Sequence, residues 1–562
     1  MSHFDEVTEV LVVGSGAAAM VAALAAKEAG AQPTIVESTS MLGGNSAISG
    51  GGLWIPNTHV IKRGGQTDSY EEARKYLDLC VGDVGPASSP ARRHAFLTRG
   101  PEMVQWLEDL GMKWIYGKGY ADYYPEREGG KPAGRGIEAR KYDIKRLGAW
   151  ADKLRFSIRA MPLYTNEVNK MAVSFRTMEG FFTAARVIGL ESTFPRLVGK
   201  QLVGLGNALM GRLLELVLAR KIPMWLDSPM KELIVENGKV VGAVIEREGK
   251  RVRVRATAGV VLASGGFEKN KKMREHYQEA PVTDAWTSGT EGNQGHPIEV
   301  ARGVGAALAL MDDAWWGPTM LNPETNTTQF MLQERSLPYC FIVASDGKRF
   351  MNESESYVDA GHHQYEKNRT VKAIPAWQIM DSRHRQFYPF GAAMPGNGGT
   401  KKLVASGMAV EAPNIEELAR KIGIDPAGLV ETTMRFNEFA RTGKDLDFHR
   451  GDSAYDRVYS DPRVKPNPNL GAVEKAPFYA VRVVPGDLGT KGGVLTDEYA
   501  RALREDGSVI EGLYAAGNCS ASVMGRTYPG PGATLGPATT FGFIAGQHAA
   551  MRVSHEEKKR SA

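Results

Sequence analysis

Val10-Leu11-Val12-Val13-Gly14-Ser15-Gly16-Ala17-Ala18-Ala19-Met20 is the stretch on which the fold turns. An apolar, β-branched run meets two glycines and passes straight into an alanine-rich segment, the composition of a strand, a tight turn and a helix. In such a unit Gly14 permits the turn and Gly16 lets a pyrophosphate approach the backbone, while Ala17 and Ala18 open a helix whose N-terminus faces that group. Ala19 stands where a third glycine often sits, a position that asks only for close packing of helix on strand. The helical pattern runs through Ala22-Ala23-Leu24-Ala25-Ala26 to Gly30, a C-terminal stop, and a second short strand, Thr34-Ile35-Val36, leads into Glu37 and Ser38. Glu37 lies about twenty residues past the glycines, where a carboxylate accepts from a ribose hydroxyl. Together these features predict a dinucleotide-binding unit of the Rossmann type.

The next glycine-rich segment selects the nucleotide. Gly43-Gly44-Asn45-Ser46-Ala47-Ile48-Ser49-Gly50-Gly51-Gly52-Leu53-Trp54-Ile55-Pro56 offers backbone with almost no side chain and then an aromatic anchor. It reads as a ribbon laid along an extended ligand, which suits FAD better than NAD; the alternative is a flexible Gly/Ser linker. Two later strands end in the same way, Gly259-Val260-Val261-Leu262-Ala263 at Ser264-Gly265 and Gly512-Leu513-Tyr514-Ala515-Ala516 at Gly517-Asn518, and each brings backbone to the cofactor. The final helix is expected to begin near Thr534-Leu535, its positive end toward the flavin. The expected fold class is therefore α/β: a Rossmann-like FAD-binding domain assembled from both ends of the chain, residues 1–312 and 487–562, with an inserted α+β catalytic domain over 313–486.

The chain has 562 residues, 42% of them hydrophobic, so it can bury a large core in more than one domain. A net charge of +5 is mild, and without a basic motif studded with aromatics it does not point to nucleic acid. Three widely spaced cysteines do not make a disulfide framework or a zinc site, and a reducing cytoplasm is the simplest setting. The chain enters its first strand without an apolar leader. Residues 527–550 carry no Asp, Glu, Lys or Arg, but their glycines, prolines and threonines make a poor membrane span, and burial against a cofactor is the better reading. Helical spacing is plain at Glu71–Leu77 and Met103–Glu108, and Asn237-Gly238 marks a hairpin within 231–245.

Three segments carry further chemistry. Gly119-Tyr120-Ala121-Asp122-Tyr123-Tyr124-Pro125-Glu126 can place phenols in a cleft or be a surface loop. From Lys153 to Lys221 there are eleven Lys or Arg against four Asp or Glu, interleaved with Met and Phe. This helical excursion, about 150–220, reads either as a basic amphipathic surface for a membrane or an apolar substrate entrance, or as solvated helix. Gly204-Leu205-Gly206 within it reads as helix packing, and His362-His363 as a surface pair.

With these segments in place, the chain resembles the flavoproteins of the fumarate reductase and 3-ketosteroid dehydrogenase superfamily, and within them the 3-ketosteroid Δ1-dehydrogenases, over nearly its whole length. The resemblance rests on Gly43–Ser46 with Ser49–Trp54, Asp122–Pro125, Asp312–Trp316, Arg349–Ser354, Gly486–Gly493 and Tyr528-Pro529-Gly530-Pro531-Gly532. It implies non-covalent FAD, an external electron acceptor, and removal of the C1 and C2 hydrogens of a 3-ketosteroid. Of the residues, it implies that Tyr528 and the Gly532 N–H hold the C3 carbonyl and that Tyr357 takes the C2 proton, with Tyr123 assisting it. Tyr120 and Tyr124 remain rivals for the assisting place. The segment Asn293-Gln294-Gly295-His296-Pro297 departs from the pattern, since relatives often carry an acid there. A 4(5)-dehydrogenase, a soluble fumarate reductase (which would need cationic clamps for two carboxylates) and a non-catalytic flavin-binding adaptor are the alternatives.

Overall fold

The computed structural model describes residues 3–157, 161–326 and 328–561, with the backbone course alone for 553–561. Strand β1 (Glu6–Val13) leads through Gly14 into helix α1 (Ala17–Glu28), and β2 (Pro33–Val36) lies parallel to β1. Gly14 has φ +110°, and a Cβ there would fall 2.3 Å from the Ala263 carbonyl oxygen, so only glycine makes this turn. Far along the chain β3 (Lys250–Leu262) pairs with the other side of β1, also parallel. A hairpin of Met230–Glu236 and Lys239–Arg247 extends β3; its Asn237 and Gly238 both have positive φ, as a two-residue turn of this hand requires.

The ribbon expected at 43–52 is not extended throughout. Gly44–Ile48 forms a short helix before Gly52–Trp54 returns as a strand, because Asn45 and Ser46 find side-chain partners on neighbouring segments and fold the backbone around them. The bareness of Gly51 serves the protein: a Cβ would lie 2.3 Å from Leu205 C, where helix Leu205–Ala219 crosses. Gly206 is equally tight against the Ser46 carbonyl oxygen, so Gly204-Leu205-Gly206 packs that helix on the ribbon.

A second, antiparallel sheet lies between the two halves of the first. Its long strands are β4 (Ala314–Leu321) and β5 (Phe478–Thr490), and helix α2 (Tyr357–Asn368) packs on β4. β5 runs unbroken through 486 and 487, since Asp487 and Thr490 still pair with Trp316 and Ala314 of β4. The chain then returns to the first sheet: β6 (Val509–Ala515) pairs in parallel with β3, and α3 (Leu535–Ser561) crosses α1. The crossing is backbone to backbone. A Cβ on Gly542 would lie 2.4 Å from the Ala18 oxygen, and one on Gly546 2.2 Å from the Ala22 oxygen. One apolar cluster joins α1, α3, Trp54 and the ring-bearing residues Tyr123, Tyr357 and Tyr528.

Candidate active site

The predicted cofactor residues lie around one seam. Gly16 ends the turn, the Ala17 N–H donates to Ser46 Oγ at 3.1 Å, and the Gly43 N–H donates to Ser15 Oγ at 3.0 Å, so the first glycine turn and the Gly43–Ser46 segment are knitted together. A Cβ on Gly517, at the end of β6, would touch Ala18 at 3.4 Å and Ala538 at 3.7 Å, which brings α1, β6 and α3 to one point. Asn45 donates to Glu268 Oε1 at 2.7 Å and Asn293 to the same oxygen at 2.6 Å. Through Glu268 the Ser264-Gly265 loop thus joins the glycine ribbon, and Asn293 belongs to the segment that departs from the family pattern. Sequence reasoning missed Glu268; nothing around it has a motif spacing. Ser49 and Gly50 lie at the end of the short helix, Gly52 passes Pro531, and Leu535 opens α3.

Glu37 does more inside the protein than a free ribose acceptor would. It accepts from Ser15 Oγ at 2.6 Å, Ser38 Oγ at 3.1 Å, and the Thr39 N–H and Oγ at 2.9 and 3.0 Å. Three of these meet Oε1 and one meets Oε2, so an acceptor position on Oε2 is left for a ribose hydroxyl.

The residues present fit a flavin nucleotide. The first turn of α1 has no side-chain cap and no acid, leaving its positive end for an anion. A cavity is lined by Trp315, Gly517, Asn518, Thr534 and Ala538, at the start of α3. Glu268 Oε2 is buried without a hydrogen-bond partner, and burial pushes that carboxyl above its usual range.

Beside this seam stands a cage of phenols. The ring centroid of Tyr528 is 4.9 Å from that of Tyr357 and 5.1 Å from that of Tyr123, and the edge of Trp315 meets it at 5.3 Å. The Tyr528 and Tyr357 hydroxyls lie near enough for each to act on the other's titration, the Thr534 hydroxyl donates to the Tyr528 oxygen at 3.5 Å, and the Gly532 N–H lies beside that oxygen. Gly532 can aim its N–H there because its φ is +95°, while its carbonyl accepts from Trp54 and Gly536. A Cβ at Gly532 would strike the Gly52 oxygen at 2.2 Å.

The three tyrosines of the 119–126 loop part company. Tyr124 donates to Asp359 Oδ1 at 3.1 Å and leaves the cage. Tyr123 enters it, edge-on to Tyr357 at 5.6 Å. The expected assistance is a hydrogen bond to Tyr357; in the structure the two rings meet edge to face. Tyr123 is held between Tyr455 at 4.1 Å and Tyr528, and its hydroxyl turns toward Tyr120 at 3.4 Å, whose own hydroxyl meets Tyr459 at 2.8 Å. Sequence reasoning missed Tyr455 and Tyr459. Their spacing of four residues on one short helical turn was the available signal, but their partners lie more than three hundred residues away in sequence.

Buried ionic groups hold these loops in place. Asp122 accepts from Trp54 Nε1 at 2.8 Å and pairs with Arg135, which also pairs with Asp68 at 2.8 Å; all three charged groups are fully buried. The Tyr123 N–H donates to the Pro529 carbonyl at 2.9 Å, tying one phenol loop to the other. Ahead of Tyr357, Glu353 is held by Arg349 at 2.7 Å and Arg450 at 3.1 Å, and Asn352 donates to Asp456 at 2.9 Å. This explains the Arg349–Ser354 motif: it sets the first turn of α2. His362 and His363 do not form a free surface pair; His362 meets Asp313 at 2.8 Å, and His363 meets Glu355 at 2.7 Å, which raises its pKa to about 9.

Burial raises the pKa of Tyr528, and of Tyr357 and Tyr123 well above 10, so all three are neutral donors at neutral pH. Contacts from Thr534, Tyr357 and the Gly532 N–H oppose that rise at Tyr528, which makes its oxygen the one most favoured to carry charge. Behind Trp315 the Lys491 ammonium lies 4.7 Å from the indole ring and 3.4 Å from Asp313, where burial lowers its pKa.

The FAD binding domain family matches residues 9–535 of the chain. A 3-oxosteroid 1-dehydrogenase of Mycolicibacterium smegmatis is 46% identical over 552 residues, 96% of each chain. Another, of Mycobacterium tuberculosis, is 46% identical over 557 residues, 96% of this chain and 98% of the relative. Among solved structures, a 3-ketosteroid delta1-dehydrogenase from Sterolibacterium denitrificans in complex with 1,4-androstadiene-3,17-dione superposes with a TM-score of 0.91 at 38% identity, covering 97% of this chain and all of the other. A glycine-turn seam that fits a flavin nucleotide and this likeness along the whole length agree: the chain belongs to the FAD binding domain family and, within it, to the 3-oxosteroid 1-dehydrogenases.

Proposed function

We propose that this chain catalyses the FAD-dependent 1,2-dehydrogenation of 3-ketosteroids. The observation that carries the reading is the meeting of the Tyr528 phenol, the Gly532 N–H and the Tyr357 phenol in one apolar cage beside the flavin seam. A hydrogen next to a ketone becomes acidic only when charge developing on the oxygen is held. Tyr528 and Gly532 supply two donors for the C3 oxygen, and Tyr357 receives the C2 proton. Because burial keeps Tyr357 neutral, it must pass its own hydroxyl proton on as the C2 proton arrives, and the phenols beside it, Tyr528 and Tyr123 with Tyr120 beyond, are the route by which that proton leaves for solvent. Bound FAD supplies the acceptor for the C1 hydride. The residues that would hold it, without a covalent link, are those of the Gly14–Ala18, Glu37–Ser38, Gly43–Ser46, Ser49–Gly52, Ser264-Gly265, Gly517-Asn518 and Leu535 segments.

Phenols and an amide in an apolar cage suit a ketone, and they favour this reading over a fumarate reductase. An external electron acceptor closes the cycle. A cytoplasmic setting fits the three cysteines, which are buried and unpaired. The deciding experiment mixes the FAD-loaded protein anaerobically with androst-4-ene-3,17-dione. The flavin absorbance should bleach as the 1,4-dien-3-one forms. A product unsaturated elsewhere, or a flavin that stays oxidised, would overturn the reading.

A further inference from the structure

The segment Gly486–Gly493 closes β5 and carries Lys491, a fully buried lysine that the steps above do not use. An ammonium is almost never buried unless groups inside the protein hold it. Three do so here. Lys491 Nζ donates to the Thr527 carbonyl at 3.3 Å, lies 3.4 Å from Asp313 Oδ2, and stands 4.7 Å from the centre of the Trp315 ring, within cation–π reach.

Each contact leads to a phenol of the cage. The Thr527 carbonyl shares one planar peptide unit with the Tyr528 N–H, so holding the first fixes the start of the second. Trp315 takes the ammonium on its face and meets Tyr528 with its edge at 5.3 Å, and its Nε1 donates to Asn518 Oδ1 at 3.1 Å, which keeps the indole from turning. Asp313 meets His362 of α2, the helix whose first residue is Tyr357.

The main chain repeats the arrangement. The Lys491 N–H donates to the Asp313 carbonyl at 3.1 Å, and the Lys491 carbonyl accepts from the Ser522 N–H at 3.1 Å. Residues 522–527 therefore hang from residue 491 at both ends, by its carbonyl and by its ammonium. The following glycines let the chain through: a Cβ on Gly492 would lie 2.4 Å from Met311 Cα, and one on Gly493 2.4 Å from the Cys519 oxygen.

We infer that Lys491 is a positioning residue for the dehydrogenation: it holds the Thr527 carbonyl and the Trp315 ring so that the Tyr528 and Gly532 donors converge on one oxygen, and through Asp313 and His362 it ties that turn to the helix that begins at Tyr357. It acts through Tyr528 and touches no reacting atom. The inference rests on the catalytic reading above.

The test uses the FAD-loaded full chain. Lys491→Met keeps the length of the side chain and removes the ammonium; Lys491→Met/Asp313→Asn removes both charges, so that no buried carboxylate is left unpaired should the single variant fail to fold. A displacement of about 1 Å at a reacting group costs about a hundredfold, so the folded variant should lose about ten- to a hundredfold in kcat while KM for androst-4-ene-3,17-dione stays within about threefold. A second readout needs no turnover. Donors to the C3 oxygen of androsta-1,4-diene-3,17-dione bound to the oxidised wild type should lower its C3 carbonyl stretching frequency, and in the variants that band should move back toward its value in an apolar solvent. Wild-type kcat in a folded variant, a loss confined to KM, or a carbonyl band that does not move would overturn the inference. A wild type that neither bleaches with steroid nor lowers the carbonyl band would overturn the catalytic reading itself, and this inference with it.

Discussion

At the scale of single residues, the site rests on donors with no formal charge. Removing one preorganised donor from a developing oxyanion typically slows turnover about a hundred- to a thousandfold. Tyr528→Phe should show that loss in kcat with its thermal midpoint kept, because the ring still fills its place against Trp315 and Tyr357. Single-turnover flavin bleaching measures it, and a variant that bleaches at the wild-type rate removes Tyr528 from the role. Tyr357→Phe should bind steroid, seen as a shift of the oxidised flavin spectrum, yet remain oxidised; rapid bleaching would assign the C2 proton to another base. Tyr528 and Gly532 entered through the family resemblance, and their sharing of one proline-stiffened turn is the part the residues themselves made legible. The choice among Tyr120, Tyr123 and Tyr124 was not, since adjacent side chains in an irregular loop have no fixed period and only Asp359, on another helix, draws Tyr124 away.

At the scale of elements, buried charges join strands and helices that the sequence separates. Asp313, just before β4, meets Lys491 after β5 and His362 of α2. Burial alone would raise its carboxyl pKa, but Lys491 and His362 hold it down to about 2, against an ordinary 3.8. A depressed folded-state value means that its stabilisation is complete above about pH 3.8 and is lost as the pH falls toward 2. Asp313→Asn should lower stability at neutral pH by leaving Lys491 unpaired, and should flatten the acid limb of the midpoint-against-pH curve between about pH 4 and 2. An unchanged acid limb would show that other carboxyls govern it. The α1–α3 crossing makes a second prediction. Gly542→Val places atoms against the Ala18 carbonyl and should cost about 1–3 kcal/mol of stability, read from chemical denaturation. The strands and helices were legible from period and glycine stops. The short helix at Gly44–Ile48 was not, because glycines give no period and its cause is the fit of Asn45 and Ser46 to distant partners.

For the whole molecule, the first sheet is built from residues 6–36, 224–262 and 501–515, with the second sheet carried between them. The repeated strand-then-glycine endings made this return of the chain readable in advance. The basic excursion left its alternatives open, because amphipathic spacing does not say which apolar face is covered. A cofactor at this seam would touch turns near residues 16, 46, 265 and 517 together and so resist separation of the chain's two ends. Any ligand that binds only the folded state adds RT ln(1 + [L]/Kd), about 2.7 kcal/mol at a hundredfold excess over Kd. Protein stripped of FAD should therefore melt well below the loaded form, and the midpoint should climb with the logarithm of added FAD. Adenosine diphosphate, which offers the pyrophosphate but no isoalloxazine, should restore only part of the gain. Equal restoration by both ligands would mean that the second glycine turn and the start of α3 contribute nothing to flavin binding. The single seam inferred from Gly517, Ala18 and Ala538 would then have to be divided.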